Sequence, residues 1–155
     1  MASGAFIVPN KAKLNIANAT NLLNVTTNWF LSLHTSTFSP NDGDAGNEVY
    51  GDLTNELANA NGYTTGGIAL TGVALSGPSS GAIKFTSNAA VWTASGGSIP
   101  AWRYGYIYNS ATINSKVKPI LCHFVGDSTP ADIPATTNGN TLTVTMNASG
   151  ILTLS

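Results

Sequence analysis

Charge is what this sequence has least of. Only 8% of its 155 residues are Asp, Glu, Lys or Arg, against about a quarter in an ordinary soluble domain. Six Lys and Arg against seven Asp and Glu leave a net charge of −1. The basic residues are scattered, so no stripe exists that could neutralise a run of phosphates, which argues against nucleic acid as a partner. A lone cysteine, Cys122, excludes an intramolecular disulfide and any cysteine-based metal cluster. No apolar run approaches the roughly eighteen residues of a membrane-spanning helix, so no membrane partner is expected. The opening "MASGAFIVPNKAK" lacks the positively charged start of a secretory signal. The expectation is a soluble chain that is not exported by the Sec route.

What the chain has instead is Thr, Ser, Asn and Gly. Thr suits a pleated surface, while Asn and Gly suit the left-handed corners between strands. Short apolar runs from "WFLSLHT" onward, among them "IALTGVALS", "AIKFTS", "AVWTA", "RYGYIYN", "VKPILCHFV", "TLTVTM" and "GILTLS", are separated by turn residues at the spacing of an antiparallel sandwich or barrel. We therefore expect a mostly β fold, an antiparallel β-sandwich of jelly-roll-like or barrel-like form. Residues 1–28 would be an N-terminal arm or short helix, with a stripe of Leu14, Ile16, Ala17 and Leu22, and residues 29–155 the sandwich. In the last part of the chain Leu142, Val144 and Met146 alternate with threonines, and "NASG" leads to Ile151 and Leu152, which together predict a terminal hairpin. Trp102, Tyr104, Tyr106 and Tyr108 fall on one face by period two, where cross-strand packing is the expected role.

Few residues suggest chemistry. "GPSSG", residues 77–81, matches the nucleophile-elbow pattern around Ser79, but that motif needs a strand before and a helix after it, and here a polar turn is expected. His34 and His123 are candidate general bases that sit in apparent strands, where a histidine is held structurally. Cys122 lies among apolar neighbours with no nearby cation and is expected to be an inert thiol. The densest group of acids is Asp42, Asp44, Glu48 and Asp52 in "SPNDGDAGNEVYGD". As a calcium loop from Asp42 it fails, since Gly46, Asn47 and Leu53 stand where a ligand, a glycine and a glutamate belong. An irregular site using Asp42, Asp44 and Glu48 is a secondary option, and the expectation is a solvated loop with no metal or other cofactor.

The order of elements resembles a group of small virion proteins of tailed bacteriophages. The matching positions are Gly62, Tyr63, Gly66, Gly67 and Leu70 in a G-Y-x-x-G-G-x-x-L element, then Trp92. Arg103, Ile107, Tyr108 and Asn109 follow in an R-x-x-x-I-Y-N strand, then Pro119 and Phe124, then Gly150, Ile151 and Leu152. The likeness spans about residues 29–155. The group often carries an acid just before the Gly-Tyr pair, where this chain has Asn59, Ala60 and Asn61. The resemblance implies a non-enzymatic capsid decoration protein in the virion, assembled in the bacterial cytoplasm. Its partners would be the major capsid protein or other virion subunits, and it would act as a homo-oligomer, a trimer on symmetry grounds. The alternatives are a neck, tail or fibre part, and a carbohydrate-binding module stacking sugars on Trp92, Trp102 and the tyrosines.

Overall fold

The computed structural model describes residues 3–18, 23–79, 82–127, 129 and 131–154. It is mostly β, with antiparallel sheets in a sandwich-like arrangement and one short N-terminal helix. The strands are β1 (Trp29–His34), β2 (Ile68–Ala69), β3 (Ala74–Ser79), β4 (Ala82–Thr86), β5 (Ala90–Thr93), β6 (Tyr104–Asn109), β7 (Thr112–Ile113), β8 (Lys116–Val117), β9 (Ile120–Val125), β10 (Thr141–Val144) and β11 (Leu152–Leu154). The principal sheet has the order β2-β1-β6-β9; β11-β4-β3 and β10-β5 form further sheets, and β7-β8 is a small hairpin.

The alternation of β1 and β6 decides where the core lies. Trp29, Leu31 and Leu33 point to the same side as Ile107 and Phe124, and there they meet Phe85, Trp92, Leu142 and Val144 from the other strands. Trp29 packs edge-on to Phe85 at 5.0 Å. On β9 the register slips, with Ile107 opposite Cys122 but Tyr108 opposite Ile120. The extra residue, Leu121, joins Cys122 in the apolar core, and Ile120 is thrown to the opposite face, a strand bulge re-aiming side chains.

Several expectations change here. The helix α1 (Asn10–Asn18) buries Ala12 and Asn15. Of the expected stripe, Ile16 is partly buried and packs on the apolar core, whereas Leu14 is 53% exposed and Ala17 is exposed; Leu22 lies outside the described residues. With only nine residues, α1 is placed by what it packs against instead of by its own amphipathic pattern. Ahead of it, Ile7 pairs with His123 through two backbone hydrogen bonds, so this stretch borders the open edge of β9. The terminal hairpin does not form. The Asn147–Gly150 turn redirects the chain, and β10 pairs with β5 while β11 pairs with β4; β10 buries Leu142 and Val144, whereas in β11 Leu152 is half-buried and Leu154 is exposed. Trp102 leaves the tyrosine row: it precedes β6, bridges to Ile133 and packs edge-on to Phe124 in the apolar core.

Candidate functional site

The other face of the principal sheet carries the polar aromatic residues. Period two puts Phe30, Ser32 and His34 of β1, Tyr104, Tyr106 and Tyr108 of β6, and His123 of β9 on this side. It is not a solvent face. The segment from Phe38 to Leu57 lies over it, so the principal sheet is buried on both sides and a second core forms around Phe38, Tyr106, Tyr108 and Ile120. Tyr106 stacks on His123 at 5.0 Å and meets His34 edge-on at 5.4 Å. Tyr108 lies between Phe30 and Tyr50, with ring centroids 5.9 and 4.4 Å away.

Two histidines tie the covering segment down. His34 Nδ1 is 2.8 Å from the Thr54 carbonyl and Nε2 is 3.0 Å from Ser32 Oγ. A carbonyl only accepts, so Nδ1 carries the proton and Nε2 accepts from the Ser32 hydroxyl. His123 Nε2 is 2.8 Å from Asp42 Oδ1, and its Nδ1 is buried without a partner among the described residues. Burial lowers the proton affinity of both rings, outweighing the Thr54 carbonyl and Glu56 at His34 and Asp42 at His123. Ser32 and His34 have the spacing of a nucleophile and its base, with the Thr54 carbonyl as orienter. Both are 0% exposed, however, and solvent does not reach them.

The centre of the second cluster is an acid that the sequence did not single out. Glu56 accepts hydrogen bonds from the Tyr50 hydroxyl, from the Tyr63 hydroxyl at 2.7 Å and from the Gly66 N–H at 2.7 Å. The Tyr63 oxygen in turn accepts from the Leu33 N–H at 2.9 Å, linking the cluster to β1. Burial first, and then the Glu56 charge, push the Tyr108 phenol up to about 12. The Tyr50 and Tyr63 phenols are raised too, burial again being the leading cause. Gly62, Tyr63, Gly66 and Gly67 thus have a structural account. Asn61 and Gly62 both have positive φ in a tight turn closed by reciprocal Ala60–Tyr63 bonds, the geometry that favours Asn-Gly. At Gly67, φ is +78° and a Cβ would lie 1.8 Å from the Leu31 carbonyl oxygen. The signal for Glu56 was present but faint: one acid beside Leu57, between two tyrosines, in a chain with few charges.

The acids expected in a solvated loop are instead assigned to separate partners. Asp42 holds His123, and Asp44 accepts from Asn10 Nδ2 at 3.0 Å. Glu48 pairs with Lys116 at 2.8 Å, and that contact is the main cause holding its carboxyl below the usual range. Asp52 accepts from the Glu48 and Val49 N–H groups at 2.8 and 3.0 Å, closing a short 3-10 turn over Tyr50–Asp52. Among the described residues no group of three or more His, Cys, Asp or Glu is placed to hold a metal ion.

The remaining candidates divide between core and surface. Cys122 is fully buried, which pushes its thiol well up. Trp92 and Trp102 are 4% and 1% exposed, so they are core residues and not stacking platforms for a sugar. The "GPSSG" stretch continues β3 as far as Ser79, and residues 80–81 lie outside the described residues. Asn109 is also a brace, donating to the Thr27 carbonyl at 3.0 Å and accepting from the Ala111 N–H. A hollow of about 430 Å³ is lined by Ala5, Ile7, Arg103, Tyr104, Val125 and Asp127 among others, and another of about 470 Å³ by Lys11, Asn41, Asn47, Glu48 and Asp52 among others. Comparison with protein-family models, curated proteins and solved structures finds no match to this chain.

Proposed function

We propose that this chain is a non-enzymatic structural part of a tailed-phage virion, and specifically a decoration protein that binds the assembled head. The observation that carries this reading is where the chemistry-bearing side chains go. Both histidines, the Ser32 hydroxyl and the acids Asp42, Asp44, Glu48, Asp52 and Glu56 are all bonded within the fold, and the cysteine is buried in it. What is left for partners is an outer surface of Thr, Ser and Asn with few charges. Such a surface gives weak contacts singly, and repetition on a symmetric shell converts them to avidity. The resemblance supports the same reading, because Gly62, Tyr63, Gly66 and Gly67, which carry it, are residues that fix the fold here.

On this reading the partners are the major capsid protein or other virion subunits, and the chain works as a homo-oligomer. Quantitative mass spectrometry of purified particles tests it. Copies on the order of hundreds per particle are expected for a shell decoration, and on the order of a dozen or fewer would move the protein to the neck, tail or fibre. Absence from particles would sink both. The burial of Trp92 and Trp102 removes two of the stacking platforms on which the carbohydrate-binding alternative rested, leaving it only the tyrosines.

A further inference from the structure

The layer formed by residues 38–57, apart from Leu57, which belongs to the apolar core, differs from that core in what holds it. Its front is fixed by Asp42 to His123, 81 residues away in sequence, and its rear by the Thr54 carbonyl to His34. Both rings are buried, at 2% and 0% exposure, and burial disfavours the cationic form of each. We propose that His34 and His123 form an acid-sensitive latch, so that protonation loosens the 38–57 layer from the sheet while the apolar core beneath stays formed.

The groups around each ring set the direction. Facing His34 are Ser32 on its own strand, Tyr106 from β6, Phe38 and the Thr54 carbonyl from the covering segment, and the nearby charge of Glu56. A second proton on Nε2 would force the Ser32 hydroxyl to turn from donor to acceptor. The Glu56 carboxylate already serves three donors. Facing His123 are Asp42 from the covering segment, Tyr106 from β6 with Tyr104 beside it, and the main chain of Ile7. A second proton would sit on Nδ1, which has no acceptor among the described residues, and the Tyr106 hydroxyl is likewise buried and unpartnered among them. Asp42 favours the cation, but burial outweighs it.

The sign follows from linkage. A histidine whose proton affinity is lowered in the closed form contributes stability that is fully present above about pH 6.5 and is lost as pH falls toward its closed-state value. Opening returns both rings to water and to the ordinary range, so acid favours the open layer. Other ties, such as Glu48 to Lys116 and Glu56 to the tyrosines, do not depend on these rings.

Hydrogen exchange of the full chain at pH 7.5 and 5.0, corrected for the intrinsic rate, tests the latch. A ring that stays neutral when closed raises the open population by up to about 30-fold between those two values. Protection over residues 38–57, and at the Ile120 N–H that donates to the Glu48 carbonyl, is expected to fall at least about fivefold on that basis, with β6 and residues 121–125 of β9 unchanged. Unchanged protection over 38–57, or loss in step with β6 and β9, would overturn the proposal. His123→Gln keeps a donor toward Asp42 but cannot titrate, and it should lose part of the pH effect; full retention would remove His123 from the latch. If that variant does not fold, NMR titration of the wild-type imidazoles decides: midpoints below about 6.5 are expected, and midpoints at or above it for both rings refute the idea.

Discussion

Removing the Glu56 carboxylate is the sharpest test of how the covering layer is built. Three donors converge on it, the Tyr50 and Tyr63 hydroxyls and the Gly66 N–H. A hydrogen bond to a charged group contributes about 1.5–3 kcal/mol, and a donor left buried without a partner costs a similar amount. Three full terms overstate the loss, because Tyr50 is half-buried and water can replace its bond, and the Tyr63 oxygen keeps its contact with the Leu33 N–H. We expect Glu56→Ala to cost about 3–5 kcal/mol, a large part of the roughly 5–15 kcal/mol that stabilises a typical domain. Glu56→Gln retains one acceptor oxygen but aims an amide N–H at a hydroxyl, and should cost about 1–3 kcal/mol. Urea unfolding followed by the fluorescence of the three buried tryptophans, Trp29, Trp92 and Trp102, measures both. The cycle of Glu56→Ala with Tyr63→Phe should give a coupling of about 1 kcal/mol or more. A loss under about 1 kcal/mol for Glu56→Ala, or a coupling near zero, would mean that the carboxylate is solvated and the cluster is not a tie.

Further outcomes follow from single contacts. Gly67→Ala combines positive φ with a Cβ 1.8 Å from a backbone oxygen and should cost about 3 kcal/mol or more, whereas Gly96→Ala, with similar φ and open space, should cost about 1 kcal/mol; equal losses in chemical denaturation would show that the close approach is relieved without cost. The Cys122 thiol should be inert to a chromogenic disulfide reagent in the native protein and react fully in denaturant, and reaction at the rate of a free thiol in native buffer would contradict its burial. Calcium at millimolar level or its chelation should leave the melting temperature unchanged, because Asp42, Asp44 and Glu48 serve three different partners; a shift above about 2 °C would restore a metal site.

The strands were legible because their signal is local. Period-two alternation placed Tyr104, Tyr106 and Tyr108 on one face and Leu142, Val144 and Met146 inside, and burial agrees at each position except the half-exposed Tyr104. Where pairing depends on distant partners, the pattern is silent. "NASG" followed by apolar residues is equally good as a hairpin or as a switch between sheets, and only the partners β4 and β5 decide. The covering layer was invisible for the same reason. Residues 38–57 have no apolar period, so polar turn residues and acids suggested a solvated loop, while the contacts that hold it join Asp42 to His123 and Tyr50 to Tyr108 across long stretches of chain. Charge spacing was a poor guide to role: Asp42 and Asp44, two residues apart, bond to different elements, and Glu56 outranks both as a structural centre without belonging to any motif.

The low charge and the two-sided sheet are connected. A sheet buried on both faces usually shows apolar runs on both, since unpaired polar groups inside cost more than they return. Here one face is apolar and the other uses Ser32, His34, Tyr106, Tyr108 and His123, groups that are neutral yet polar. Neutral polar groups escape the desolvation cost of full charges, and they demand specific partners, so this face fits a covering segment that presents the Thr54 carbonyl and Asp42 at the right places. An apolar face would accept many coverings of similar volume. The consequence is a division of labour between layers: the apolar core supplies most of the burial, and the polar aromatic layer fixes which segment lies over the sheet. Because the second layer depends on protonation states and the first does not, conditions that change those states act on the covering segment before they reach the core.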